Sequence, residues 1–197
     1  MNKQRRQDIL IRLADHLSAK RLEHSKQVAD TAAEIAKCHD VDVSKAELAG
    51  LLHDCARELS FKETFAAARQ AEIKWGEEEE AEPVLLHAAV SAEWARERYD
   101  VKDEDVLQAI SLHTTGGTKM TRLDKIVSLA DLLEPGRDFK GIDVLRQLVR
   151  TDLDAALLRA FDGSMLHILS CGALLHPATV KARNELLLQL RAGKKEC

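Results

Sequence analysis

The chain has 197 residues, of which 45% are hydrophobic, 31% charged and only 4% aromatic, and it carries a formal charge of −4. That length suits one compact domain with its own core, while the acidic balance excludes the basic footprint of a duplex-binding protein. No run of 18 apolar residues occurs, so a membrane-spanning helix is excluded.

Alanine and leucine carry the interior in place of β-branched and aromatic residues, and that usage predicts an all-α fold. At the start, the basic residues Lys3, Arg5 and Arg6 lead into an Ile9–Leu13 stretch that is broken by Arg12 and too short for a secretory h-region. From Arg21 to Lys37, the residues Val28, Ala29, Ala32, Ile35 and Ala36 recur at helical spacing, and a polar turn follows at His39, Asp40, Val41 and Asp42. Ser44 reads as an N-cap that forms a capping box with Glu47, opening a short apolar helix from Ala46 to His53 in which Ala49 and Gly50 permit close packing. The acidic run Glu77 to Glu80 reads as a solvated connector without function.

Pro83, Pro135 and Pro177 stand where helices begin or have just ended. Beyond Pro83 the pattern predicts helices at Val84 to Tyr99, Asp103 to His113, Thr121 to Leu133, Ile142 to Phe161, Ser164 to Leu175 and Ala178 to Arg191. Cys38, Cys55, Cys171 and Cys197 form no CxxC pair, which points to a reducing cytoplasm and away from a disulfide framework or zinc knuckle.

The chemistry resides in polar residues placed where helical periodicity predicts core. His24 points with Val28 and Ala32; His53 continues the stripe Ala46, Ala49, Gly50, with Asp54 directly after it. His87 shares a face with Val84, Ser91 and Trp94, His113 with Ala109 and Ile110, and Asp131 with Val127. Two ionised carboxylates turned inward beside four imidazoles are very costly without a cation. Such a set suits a pair of first-row transition ions, iron or manganese, because Mg²⁺ and Ca²⁺ prefer all-oxygen shells. The second His-Asp pair, His39-Asp40, falls in the polar turn and is discounted as a ligand pair; His16, His167 and His176 belong to no convergent pattern.

At these residues the sequence resembles the HD superfamily of metal-dependent phosphohydrolases, through His24, His53-Asp54 and Asp131, with His87 and His113 marking the two-metal version. More closely it resembles the YqeK family of HD-domain symmetrical bis(5'-nucleosyl)-tetraphosphatases. The resemblance lies in RLEHSKQVADTA, AELAGLLHDCARELS, LLHAAVSAEWA, AISLHTTG, LDKIVSLADLLEPGRDF and HPATVKARNELL, in order over most of the chain. Two departures stand out. Arg57 follows His53-Asp54 where many HD hydrolases have Lys, and Leu132-Leu133 follows Asp131 in place of Lys-Ile.

The resemblance implies a single HD-domain helical bundle over residues 1–197, with a binuclear metal site between helices. Its metal-ligand core would span about residues 20–135, with C-terminal helices 142–191 packed on it. It further implies that Asp54 bridges two metals, with His24, His53 and Asp131 completing one site and His87 and His113 the other. A hydroxide held between the ions would cleave diadenosine tetraphosphate symmetrically to two ADP. Arg57, beside Asp54, keeps a charge suited to phosphate oxygens. Thr114, Thr115 and Gly116 can form an anion nest after His113, and Arg137 stands soon after Asp131 as a substrate contact. The implied partner is a small dinucleoside polyphosphate or nucleotide, with neither duplex nucleic acid nor membrane, and family habit implies a homodimer. A mononucleotide or guanosine polyphosphate substrate stays open at this point, as does a non-catalytic nucleotide-binding adaptor.

Overall fold

The computed structural model describes residues 1–193, so Cys197 lies outside the described residues. Eleven α-helices occur among them, with no strand. They are α1 (Lys3–Ala14), α2 (Ala19–Cys38), α3 (Val43–Leu52), α4 (Phe61–Gln70), α5 (Glu77–Ala81), α6 (His87–Arg98), α7 (Glu104–Leu112), α8 (Arg122–Leu133), α9 (Ile142–Leu148), α10 (Leu153–Ser170) and α11 (Pro177–Gly193). A 3₁₀ turn, Pro83–Leu86, runs directly into α6. The all-α bundle is as the residue usage predicts. None of the described helices is long and apolar enough to cross a membrane.

Helix α2 is the spine. Its apolar stripe, Val28, Ala29 and Ala32, is fully buried against α3 and α8, and α7 closes the group by packing on α3, α6 and α8. Gly50 permits the α2–α3 approach: a Cβ there would stand 2.9 Å from the Ala29 Cα and 3.0 Å from the Val28 carbonyl oxygen. Leu51, Leu52, Ile110, Ile126 and Leu129 fill the space around this contact with no exposed surface. Helices α10 and α11 pair with each other, and α10 rests on α8.

Several local expectations are corrected. Helix α3 starts earlier than expected because Asp42, not Ser44, caps it, its carboxylate accepting from Ser44 N at 2.7 Å and Lys45 N at 3.1 Å. Ser44 and Glu47 instead receive the Met1 amino group, at 2.8 and 3.0 Å. The acidic run is not a bare connector. It winds into α5, where Glu79 accepts from Gly76 N at 2.8 Å, Glu80 accepts from Trp75 Nε1 at 2.7 Å, and Glu79 pairs with His176 at 2.9 Å.

The expected 142–161 helix breaks at residues 149–152, where Asp152 caps α10 by accepting from Ala155 N at 2.9 Å. The new helix then runs straight through Gly163 and Ser164, where a boundary was expected. Helix α4 was not anticipated. It opens on a capping box of Ser60 and Glu63, with Ser60 N donating to the Glu63 carboxylate at 2.9 Å.

Candidate metal centre

The bundle brings all six expected ligands to one point. Three of the four imidazoles arrive by the same device. His53 and His113 are the C-cap residues of α3 and α7, and His87 caps the 3₁₀ turn that precedes α6. The last carbonyls of a helix keep spare acceptor capacity. Each ring takes the one three residues back: His53 Nδ1 lies 2.7 Å from Gly50 O, His87 Nδ1 2.5 Å from Val84 O and His113 Nδ1 2.7 Å from Ile110 O. His24 stands inside α2, where the carbonyls are already used, and its Nδ1 meets the Glu134 carboxylate at 3.3 Å instead.

Carbonyls and a carboxylate only accept, so the four Nδ1 atoms donate, which leaves each Nε2 as the atom that can offer a lone pair to a metal. All four Nε2 atoms face carboxylate oxygens. Asp54 divides its two oxygens between the imidazoles: Oδ2 lies 3.7 Å from His24 Nε2 and 3.5 Å from His53 Nε2, whereas Oδ1 lies 3.1 Å from His87 Nε2 and 3.7 Å from His113 Nε2. Asp131 Oδ1 joins the first pair, 3.1 Å from His24 and 4.0 Å from His53.

The Nε2 atoms of His24 and His53 are buried without a hydrogen-bond partner. Imidazole Nε2 atoms and carboxylate oxygens at these separations need a proton or a metal cation between them. Two ligands ~2.1 Å from one ion at a right angle lie about 3 Å apart, so the observed separations of 3.1–4.0 Å fit a metal centre. Two triads, His24–His53–Asp131 and His53–Asp54–His113, can each hold an ion.

The electrostatics of the cluster keep its carboxylates ionised. Burial opposes ionisation of Asp54, yet His53 and His87 hold its carboxyl well below the usual range. Asp131 is likewise lowered against burial, by His24, His53, His113 and Arg137. Burial also works against a charge on His53, but Asp54 and Asp131 outweigh it and raise this imidazole. His113 goes the other way, pushed down to about 3 by burial and by its neighbours His53 and His87. A neutral imidazole beside an ionised carboxylate is the form a metal takes, so His113 is ready for an ion while His53 would exchange a proton for it.

Around this cluster the expected substrate residues divide. Arg137 is at the site, its Nη2 2.6 Å from Asp131 Oδ1 and its Nε 3.1 Å from the Asp131 carbonyl. Thr114 is too, its hydroxyl 3.2 Å from His87 Nε2 and 3.0 Å from His113 Nε2. Thr115 and Gly116 turn away. The Thr115 carbonyl accepts from the Thr179 hydroxyl at 2.9 Å. Gly116 donates its N–H to Leu112 O at 2.9 Å, ending α7 in the left-handed conformation (φ 67°) beneath Phe161, so it serves as a helix stop.

Arg57 is half-buried and makes no side-chain ion pair among the described residues. The guanidinium that touches Asp54 belongs to Arg21, with Nη1 2.7 Å from Asp54 Oδ2. Sequence reasoning missed both Arg21 and Glu134. Arg21 lies one turn before His24, on the same face, which is a usable signal; Glu134 meets His24 across 110 residues and left none.

The discounted histidines are engaged elsewhere: His39 with the Val149 carbonyl, His16 with Tyr99 and Trp94, and His176 with Glu79. Cys55, next to Asp54, is no ligand. Its buried thiol is pushed up to about 12 by desolvation, against a hydrogen bond to Ser91 O, and is inert.

The HD-domain family model matches residues 21–136, a span that holds all six of the expected ligands. The symmetrical bis(5'-nucleosyl)-tetraphosphatase of Halalkalibacterium halodurans is 37% identical over 179 residues, covering 88% of this chain and 92% of that protein. The chain belongs to this HD-domain family. Proteins of the same description from Staphylococcus aureus and Bacillus subtilis are each 34% identical, covering 86% and 92% of the chain and 88% and 97% of their own lengths. The crystal structure of an HD superfamily hydrolase from Clostridium acetobutylicum superposes with a TM-score of 0.90 at 39% identity, over 93% of this HD-domain chain and 97% of that one.

Proposed function

We propose that this chain is a metal-dependent hydrolase that cleaves diadenosine tetraphosphate symmetrically, adding one water across the central anhydride to give two ADP. The observation that carries the reading is Asp54, whose two oxygens face two separate imidazole pairs from one buried position. His24, His53, Asp54 and Asp131 would hold one ion, and Asp54, His87 and His113 the other. The mixed imidazole and carboxylate donors suit iron or manganese. When bound, such a pair lowers the pKa of water and neutralises charge on a phosphoryl group.

The remaining work falls to the chain's own residues. The four Nδ1 anchors hold each imidazole in one tautomer with its lone pair inward, so the donor set is preorganised. Arg137, 42% exposed at the rim, can exchange part of its contact with Asp131 for a phosphate oxygen. Arg57, without an acidic partner among the described residues, is a second cation for the polyphosphate chain. The Thr114 hydroxyl can donate to a phosphate oxygen close to the His87–His113 pair.

The test is a discontinuous assay of protein loaded with Mn²⁺, or anaerobically with Fe²⁺, given diadenosine tetraphosphate, with products separated by ion exchange. Two ADP per substrate, abolished by chelation, is the expected result. ATP with AMP would overturn symmetrical cleavage, and no turnover with metal bound would overturn the activity.

A further inference from the structure

The six ligand side chains are not equally buried. His53 has no exposed surface and Asp54 4%, whereas Asp131 is 25% exposed. The centre therefore opens at Asp131, and Arg137 stands on that opening. Arg137 and Leu132, the neighbour of Asp131, also line one end of a groove of about 620 Å³ whose far wall is α10. A volume in the range of roughly 300–1,000 Å³ is that of a small-molecule site.

From these walls we infer that the groove between residues 137–141 and α10 receives the nucleoside part of one ADP half of the substrate, with its phosphates running back past Arg137 to the metal centre. This rests on the hydrolase reading above. The charges suit it. Lys140 and Arg159 line the groove, are exposed, and have no acidic partner among the described residues, so they outnumber the one unpaired acid on the same lining, Asp138. Asp162, on the same wall, is already paired with Arg183 at 2.8 Å, so its charge is compensated. The apolar surface suits it too, because Phe139 is 37% exposed and Leu166 69% exposed, and an adenine ring can pack on both.

Gly163 lies on the α10 wall of the same groove. It stands inside α10, where glycine is the least favourable residue short of proline. A Cβ built there meets nothing within 4 Å, so no neighbouring atom demands a glycine. Bare backbone facing open space lets a flat ring approach closely.

Gly163→Leu tests this, since leucine favours the helix while filling the groove, and the position touches no metal ligand. Binding of ADP to the metal-loaded protein is measured by titration calorimetry, with tripolyphosphate as a probe that lacks the nucleoside. ADP affinity should fall at least tenfold in Gly163→Leu and several-fold in Phe139→Ala, with tripolyphosphate affinity, metal content and melting temperature retained. Unchanged ADP affinity in both variants would overturn the groove, and if Gly163→Leu also altered the sedimentation coefficient, the face would instead be a contact between copies of the chain. The two readings fail separately. Wild-type turnover with an unchanged KM in both variants removes the groove and keeps the hydrolase; ADP binding lost in the variants of a protein that cleaves no diadenosine tetraphosphate does the reverse.

Discussion

At the scale of single residues, the centre depends on which nitrogen of each imidazole is free. Backbone carbonyls decide this for His53, His87 and His113, and no side-chain substitution removes them. Only His24 relies on a side chain, Glu134, which is 4% exposed and is shared with Arg137 and Gly136 N. Carboxylates that orient a metal-bound histidine typically contribute about 10–100-fold to affinity. Glu134→Ala should therefore weaken metal binding at the His24 side by about that factor, leaving the His87–His113 side loaded. Metal analysis after dialysis against graded chelator should show one ion lost early and one retained. Equal loss of both, or of neither, would remove the orienting role from Glu134.

At the scale of elements, the inward faces of α2, α3, α6, α7 and α8 were legible because an imidazole or carboxylate on an apolar stripe violates the pattern that surrounds it. Partnerships between elements were not. Helix α3 was expected to be capped by Ser44, but the carboxylate of Asp42, two residues earlier, takes that role. The acidic run looked solvated because its partners, Trp75 and His176, lie outside it, one of them 97 residues beyond Glu79.

That last pair ties α5 to the start of α11, and it carries a pH dependence. Burial works against the Glu79 carboxylate, but Gly76 N–H and His176 hold its pKa below the ordinary value. A depressed acid contributes stability that is present above its unfolded pKa of about 4.3 and is lost as pH falls through the folded value. The pair is partly exposed, so the contribution is ~0.5–1 kcal/mol. Glu79→Gln should lower the unfolding free energy by that amount at pH 7 and have no effect near pH 3, as measured by urea denaturation. An equal loss at both pH values would assign the effect to the helix cap alone.

At the scale of the whole molecule, the bundle holds its own electrostatic conflict. Five helices each bring an imidazole or a carboxylate to one buried point, and their packing, with α2 and α3 in backbone contact at Gly50, keeps those groups from moving apart. Without a metal, buried imidazoles and carboxylates must satisfy one another through protons alone, which is a cost borne by the fold. A metal bound only by the folded chain reverses the sign, stabilising it by about 4 kcal/mol at a thousandfold excess over Kd. For a domain near 200 residues, each kcal/mol moves Tm by roughly 2–4 °C. Loading with Mn²⁺ should therefore raise Tm by about 8–16 °C over chelator-treated protein in calorimetry. Asp54→Ala, which removes the carboxylate common to both imidazole pairs, should abolish most of that difference while keeping a cooperative transition. A full Mn²⁺ shift in Asp54→Ala would mean that the stabilising ion sits elsewhere, and no shift in the wild type would mean that the six residues hold no metal.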